Sequence, residues 1–530
     1  MWRGEYPHAP EKAVPPDPTT AQFSPHSQSN KLTGGQLSAQ SGLITHGVHS
    51  GTTDTSQDVE RLPKLAISRI PDELLVEIFD FYRQHNVHSY QWWFKFIHVC
   101  KRWRAVMFAS SSRLDLCFVL KPKMGGHMKT IMSRHFPPLP IQIKYDREYP
   151  ALKSKDMSRV LAALKRPDRI RGIAFTGDSD NFRKLFKATK CPFPALESLE
   201  LCVDHATLTI PVTFLRGSVS HLRTLSLHHF SLQSISRFLS SIPTLTYLSL
   251  VFYDDIGLPS SMLRLFSNLQ SMPCLCHLHL EITSRITNEA QPTKPEEKIP
   301  LSKLTSFRYH GHSAFLNTFM AEFAAPSLRE VDIQLGDNAL PPIPYIPQFI
   351  DDIGEHYHAV RLSLDRYFVQ LSLFGHSEYA GHHSPRFILR SKRFPESMMQ
   401  MSGAFYSKIV TTELSIIFLD NVYADEDFVP WRRFFLQFPS LKGLRMYGTN
   451  NLRIATAFHQ DHEGLNLAFL PALEEIELCM GSIFPCPENQ CASELAAFEP
   501  FVSARQQVGL PVKIVANWRQ PNGDLRSNMQ

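Results

Sequence analysis

Residues 242–250 read IPTLTYLSL, and the frame Pro-x-Leu-x-x-Leu-x-Leu that they carry returns along most of the chain. It is found again in FPALESLEL (Leu196, Leu199, Leu201), SHLRTLSL (Leu222, Leu225, Leu227), MPCLCHLHL (Leu275, Leu278, Leu280) and APSLREVDI (Leu328, Val331, Ile333). Later copies are FPSLKGLRM (Leu441, Leu444, Met446) and LPALEEIEL (Leu473, Ile476, Leu478), with weaker ones at DRIRGIAF and SKLTSFRY. A frame that recurs decides the fold before any single element does. The x-Leu-x-Leu end of each copy alternates apolar and polar, as a short strand with one side turned inward does. The stretches between copies, such as LQSISRFLSS (232–241) and MLRLFSNLQS (262–271), have helical spacing of apolar residues and read as covering helices. The chain is therefore α/β, one strand and one helix at a time.

From the first Leu of one unit to the next the steps are 26 (196 to 222), 23 (222 to 245), 30 (245 to 275), 29 (275 to 304) and 24 (304 to 328). Those lengths are those of leucine-rich repeats with short insertions, whose units stack into a solenoid. We expect a degenerate array over 113–520, with an irregular insertion near 335–405, where PPIPYIPQ and YAGHHSPRF interrupt the pattern with Pro, Gly and His. The rival reading is an unrelated α/β domain with leucine-rich strands.

Ahead of the array the composition changes twice. Residues 1–60 are rich in Pro, Ser, Thr, Gln, Gly and His and poor in aliphatic residues, so they are expected to form a disordered tail; 521–530 is expected to be a flexible terminus. Between them, RLPKLAISRIPDELLVEIFDFYRQ places Pro71 in the first turn of a helix, with Asp72 and Glu73 at its positive end. Leu74, Leu75, Ile78, Phe79 and Tyr82 form one apolar face of that helix. WWFKFIHVCKRWRAVMFAS then carries Trp93, Phe96, Ile97, Cys100, Trp103, Val106 and Met107 at three- and four-residue steps, predicting one or two more amphipathic helices. RLDLCFVL alternates and predicts a strand. A small helical module thus occupies 65–112.

Ile70-Pro71-Asp72-Glu73-Leu74-Leu75-Val76-Glu77-Ile78-Phe79, followed about twenty residues later by Val99-Cys100-Lys101-Arg102-Trp103, strongly resembles the F-box, and the whole is similar to the large fungal F-box family with C-terminal leucine-rich repeats. The resemblance implies docking onto a Skp-type adaptor and through it onto cullin and RING subunits, with a protein substrate held by the repeats. It implies that Ile70 and Pro71 meet the adaptor, that Leu74, Leu75, Ile78 and Phe79 form the first helix's apolar surface, and that Val99, Cys100 and Trp103 pack the later helices and complete the binding face. Ile70 stands where Leu usually precedes the Pro. The function implied is substrate recognition for an SCF-type cullin-RING ubiquitin ligase, by a non-catalytic subunit; the alternative is a repeat scaffold that binds proteins without ligase activity.

Other chemistry finds little purchase. The balance of 55 basic and 50 acidic residues, +5 net, implies no strong field for nucleic acid or anionic lipid. Nine Cys lie scattered, several in apolar runs, as in a reducing compartment, so an intracellular location, cytoplasmic or nuclear, is expected. Neither secretion nor membrane spanning is expected. Cys479, Cys486 and Cys491, with His459 and His462 upstream, lack a zinc-like spacing, and so do His356, His358, His382 and His383. No phosphate-binding loop, dinucleotide fingerprint or nucleophile elbow occurs, and Asp351, Asp352, Asp425, Glu426 and Asp427 read as solvated loop charges. No metal and no cofactor is expected.

Overall fold

The structure, a computed structural model, describes residues 69–85, 92–120, 139–145, 154–204, 207–217, 220–252, 259–282, 298–336, 346, 357–364, 369–375, 385, 387–391, 411–418, 431–448, 451–458, 469–479 and 488–517. The expected tail at 1–60 and terminus at 521–530 lie outside them. By contacts the chain divides at Ile70, and everything from Pro71 onward is one compact unit.

That unit begins with α1 (Asp72–His85), whose first turn carries Asp72 and Glu73 against the helix dipole. Pro71 sits one residue ahead, and its carbonyl accepts from the Leu75 N–H at 3.1 Å. The two later helices predicted are α2 (Phe94–Ile97) and α3 (Lys101–Ala109). The Cys100 Sγ caps α3 by accepting from the Trp103 N–H at 3.4 Å. An aromatic cluster ties the three together. The Phe79 ring lies 5.1 Å from Phe96 and 5.3 Å from Trp103, edge-on to the latter, a geometry worth something beyond area burial. The Trp92 and Trp93 side chains are buried in the same module.

The strand predicted over RLDLCFVL is shorter than its pattern. Residues 110–115 form turns, and only Phe118–Leu120 is a strand, β1. The reason is Asp115, which takes φ 51°, a left-handed value that Asp tolerates and an extended strand does not use. Leu114 and Leu116 on either side are both buried, so the alternation was a sign of burial without being one of strand.

The repeats follow. β2 (Ile141–Tyr145), β3 (Ile170–Gly177), β4 (Ser198–Val203), β5 (Thr224–His228), β6 (Tyr247–Phe252), β7 (His277–Ile282), β9 (Ser306–Gly311) and β11 (Glu330–Leu335) lie side by side in parallel, in that order, after β1. Their leucines align. Leu201, Leu227, Leu250, Leu280 and Tyr309 are register partners across β4 to β9, and all are 2% exposed or less. One hydrogen bond repeats at the entry to the strands, from the N–H of the residue after each leading Leu to the matching carbonyl one unit earlier. Arg223 to Glu197, Thr246 to Arg223, Cys276 to Thr246, Thr305 to Cys276 and Arg329 to Thr305 all measure 2.8 Å. The predicted helices are α6 (Leu232–Leu239) and α7 (Pro259–Gln270), with α4 (Ser154–Ala163), α5 (Ser179–Ala188) and α8 (Ser313–Glu322) in other units. A short parallel pair, β8 (Ile299–Pro300) with β10 (Phe323–Ala324), lies outside the main sheet.

The irregular stretch near 335–405 contains three strands inside the same sheet. β12 (Tyr357–Leu364), β13 (Val369–Gly375) and β14 (Phe387–Ser391) form an antiparallel meander. β14 pairs with β11, and β12 pairs with β15 (Glu413–Phe418), both in parallel. The meander therefore fills three strand places and hands the parallel pattern on to β16 (Gly443–Tyr447), β17 (Glu475–Cys479) and β18 (Lys513–Asn517). The described strands of the main sheet number sixteen. α9 (Trp431–Phe435), α10 (Asn451–Thr456) and α11 (Glu488–Gln507) accompany the last units. Near the end, the buried Arg505 guanidinium donates to the carbonyls of Leu470, Pro471, Leu473 and Leu510 and so fastens α11 to the last turns.

Candidate functional site

The residues singled out in the helical module do not share one face. Leu75 and Phe79 are wholly buried, with Val76, against the aromatic cluster, whereas Leu74 and Ile78 are 54% and 43% exposed. They face different surroundings because residues one apart on a helix are about 100° apart around it. Phe81, 64% exposed and seven positions after Leu74, joins the outward stripe and was not among the sequence candidates. Its signal was there: 74, 78 and 81 are spaced as i, i+4 and i+7. Ile70 is half-buried and Pro71 exposed. Val99, expected to pack the later helices, is 54% exposed; Cys100 is exposed and acts as the cap of α3; Trp103 is half-buried against Phe79 and Phe96. Arg102 of α3 reaches Asp72 of α1 at 2.6 Å and holds the two helix starts together.

A second surface lies on the main sheet, on the face opposite the leucines. Register brings Tyr247, His277 and Ser306 into one row, and Ser249, His279 and Arg308 into the next. A third row runs His228, Val251, Glu281 and His310. The Ser249 hydroxyl lies 3.1 Å from His279 Nδ1, Ser226 lies 2.9 Å from His228 Nε2, and His310 Nδ1 lies 3.4 Å from a Glu281 oxygen. Burial pushes His279 below the ordinary imidazole range; Glu281 and Asp332 oppose this, and Arg308 and His310 add to it.

Between the end of the helical module and the first repeats is a cleft of about 510 Å³, lined by Ser111, Ser112, Asp168, Arg169, Arg171 and Glu197 among others. Its charges are largely spent internally. Arg171 pairs with Asp115 and with Glu197, and the Arg169 guanidinium donates to the Leu139 carbonyl.

Of the metal candidates, Cys479 is buried at the end of β17, its thiol pushed up to about 11 chiefly by burial. His358 is half-buried in β12. His356, His382, His383, His459, His462 and Cys486 lie outside the described residues, as do Asp351, Asp352, Asp425, Glu426 and Asp427, and the Cys491 side chain is not described. Among the described residues no three His, Cys, Asp or Glu side chains are placed to hold a metal ion, and no helix is long and apolar enough to cross a membrane.

No family model matches the chain, and no curated protein does. Among solved structures it is similar to the leucine-rich repeat-containing protein LegL7 from Legionella pneumophila, at 11% identity and a TM-score of 0.25, over 72% of this chain and 98% of that one. A protein from Bacteroides fragilis aligns at 11% identity and a TM-score of 0.20, over 70% of this chain and 74% of that one. At those scores the assignment rests on the repeat geometry itself. Recurring strands and helices, the repeated 2.8 Å hydrogen bond and the in-register leucines define a leucine-rich-repeat solenoid.

Proposed function

We propose that the chain is the substrate-receptor subunit of an SCF-type cullin-RING ubiquitin ligase, docking a Skp-type adaptor through its helical module and a protein substrate through its repeats. The observation that carries this reading is the stripe of Leu74, Ile78 and Phe81, left outward by the helix whose sequence, Ile70 to Phe79, resembles the F-box. Apolar side chains in such a row are a liability unless a partner covers them. Each is about half exposed, so covering the three stabilises a complex by about 3 kcal/mol in gross terms, and neighbouring contacts such as Val99 must supply the rest. Catalysis belongs to the bound RING and ubiquitin-conjugating subunits, and this chain contributes no reacting group. It works inside the cell, where those subunits are found.

The test is co-precipitation of Skp, cullin and RING subunits with the full chain. The variant Leu74→Asp with Ile78→Asp changes only outward side chains, so circular dichroism is expected to stay unchanged while Skp is lost. Leu75 is unsuited to this purpose, because a charge at a fully buried position unfolds the module. Skp retained by the outward double variant sinks the docking reading. Skp bound without cullin or RING instead indicates a scaffold that holds its partners without ubiquitin transfer.

A further inference from the structure

The exposed sheet face is richer in imidazole than a repeat surface requires. Four His side chains, His228, His277, His279 and His310, come from β5, β7 and β9, and the adjoining strand β6 adds Tyr247 but no charge. At the usual strand spacing the patch is roughly 15 Å across, the width of a short extended peptide's contact. The charged groups around it can be named strand by strand. β4 contributes Glu200, β7 Glu281, β9 Arg308, β11 Glu330 and Asp332, and β14 Arg390.

Asp332 holds Arg390 at 2.5 Å, and Glu281 faces His310. Arg308 differs from Arg390: its side chain is exposed and, among the described residues, its guanidinium makes no hydrogen bond or ion pair, although its charge is felt at His279. A free guanidinium in the middle of a histidine patch is a ready partner for a carboxylate, which it binds through two parallel donors. With the imidazoles neutral, the four acids outnumber the two arginines. With all four imidazoles protonated, the sign of the face reverses.

We propose that this face grips an acidic segment of the protein substrate, anchored on Arg308, and that the grip tightens as the histidines protonate below neutral pH. The proposal rests on the reading that the repeats hold the substrate, and it adds the chemistry of the segment and the condition for holding it. Half-buried His279, hydrogen-bonded to Ser249, holds its proton more weakly than a free imidazole, chiefly through desolvation.

The test uses the full chain and two fluorescein-labelled probes, a deca-glutamate and a deca-lysine peptide, followed by anisotropy at about pH 7.5 and about pH 5.5. Deca-glutamate is expected to bind about tenfold tighter at the lower pH, and deca-lysine to show no such gain. Arg308→Glu should weaken deca-glutamate binding about tenfold or more at both pH values. His277→Ala with His310→Ala should reduce the pH response to about twofold, whereas His98→Ala, an exposed His of the helical module, should leave it intact. No binding of deca-glutamate, equal binding of deca-lysine, full binding by Arg308→Glu, or an unchanged pH response in the double variant each overturns the proposal. Skp co-precipitation is run on the same Arg308→Glu preparation: Skp retained with deca-glutamate lost places the effect on this face, whereas Skp missing from the wild-type chain marks failure of the adaptor reading instead.

Discussion

Leu250→Ala tests the one-dimensional character of the array. Leu250 is fully buried in the middle of β6, where its register partners are Leu227 on β5 and Leu280 on β7, both equally buried. Removing three carbons from such a site costs about 2–5 kcal/mol, the transfer term plus the cavity left behind. At about 3 kcal/mol, local opening becomes roughly a hundredfold more frequent. In a stack where each unit touches only its neighbours, that cost stays near the site. Hydrogen exchange of the full chain, followed by mass spectrometry, should therefore show faster exchange in β5, β6, β7 and α6, with β16 to β18 unchanged. Uniform acceleration from β2 to β18 would falsify the one-dimensional description and indicate a single cooperative globule. No change anywhere would instead mean that Leu250 is not in the core.

Gly311 follows Tyr309 and His310 at the end of β9, where a Cβ would lie 2.3 Å from the Ile282 carbonyl oxygen and 2.6 Å from the Tyr309 hydroxyl; Gly311→Ala should cost at least about 2 kcal/mol, seen as a lower unfolding midpoint. Arg505→Lys replaces a planar fork by a point charge that cannot reach all four carbonyls at once; a loss of about 2 kcal/mol is expected, with early proteolysis in 488–517 as the local readout. His279 binds its proton more weakly folded than unfolded, so its contribution to stability is complete above the unfolded value of about 6.5 and is lost as pH falls through the lower, folded one. Thermal midpoints measured on either side of that range should differ less in His279→Gln than in the wild-type chain, and an equal difference contradicts the assignment.

Sequence alone located the repeat core. Leu196, Leu222, Leu245, Leu275, Leu328, Leu441 and Leu473 all sit where the frame puts them, because an alternating apolar pattern with a fixed leading Leu leaves one arrangement that buries every branched side chain. The split of α1 was not legible. Apolar residues at 74, 75, 76, 78, 79, 81 and 82 cover more than half of the helix circumference, so periodicity identifies an apolar helix without saying which part faces inward. Only the placement of Phe96 and Trp103 decides that Phe79 is core and Ile78 is not. The histidine rows were hidden for a different reason. His228, His277 and His310 are spread over eighty residues, and strand register alone makes them neighbours. The meander of β12 to β14 was not legible: the sequence marked 335–405 only as an irregular insertion, and its antiparallel order depends on long-range pairing that no local pattern encodes.

The helical module and the first repeats belong to one compact unit and meet through the turns at 110–115. The helical module ends in turns whose hydrogen bonds run Leu116 N–H to Ser111 carbonyl at 2.9 Å and Phe118 N–H to Pro140 carbonyl at 2.8 Å, so the chain enters β1 with no free linker. Two ion pairs span the join, Arg113 with Glu77 and Arg171 with Asp115, but all four side chains are more than a third exposed. Such pairs contribute at most about 1 kcal/mol each. Leu114 and Leu116, at 0% and 1% exposure, contribute about 1.5–3 kcal/mol each by burial and outweigh them. Burial in these turns therefore outweighs the exposed ion pairs, and added salt is expected to change their stability little.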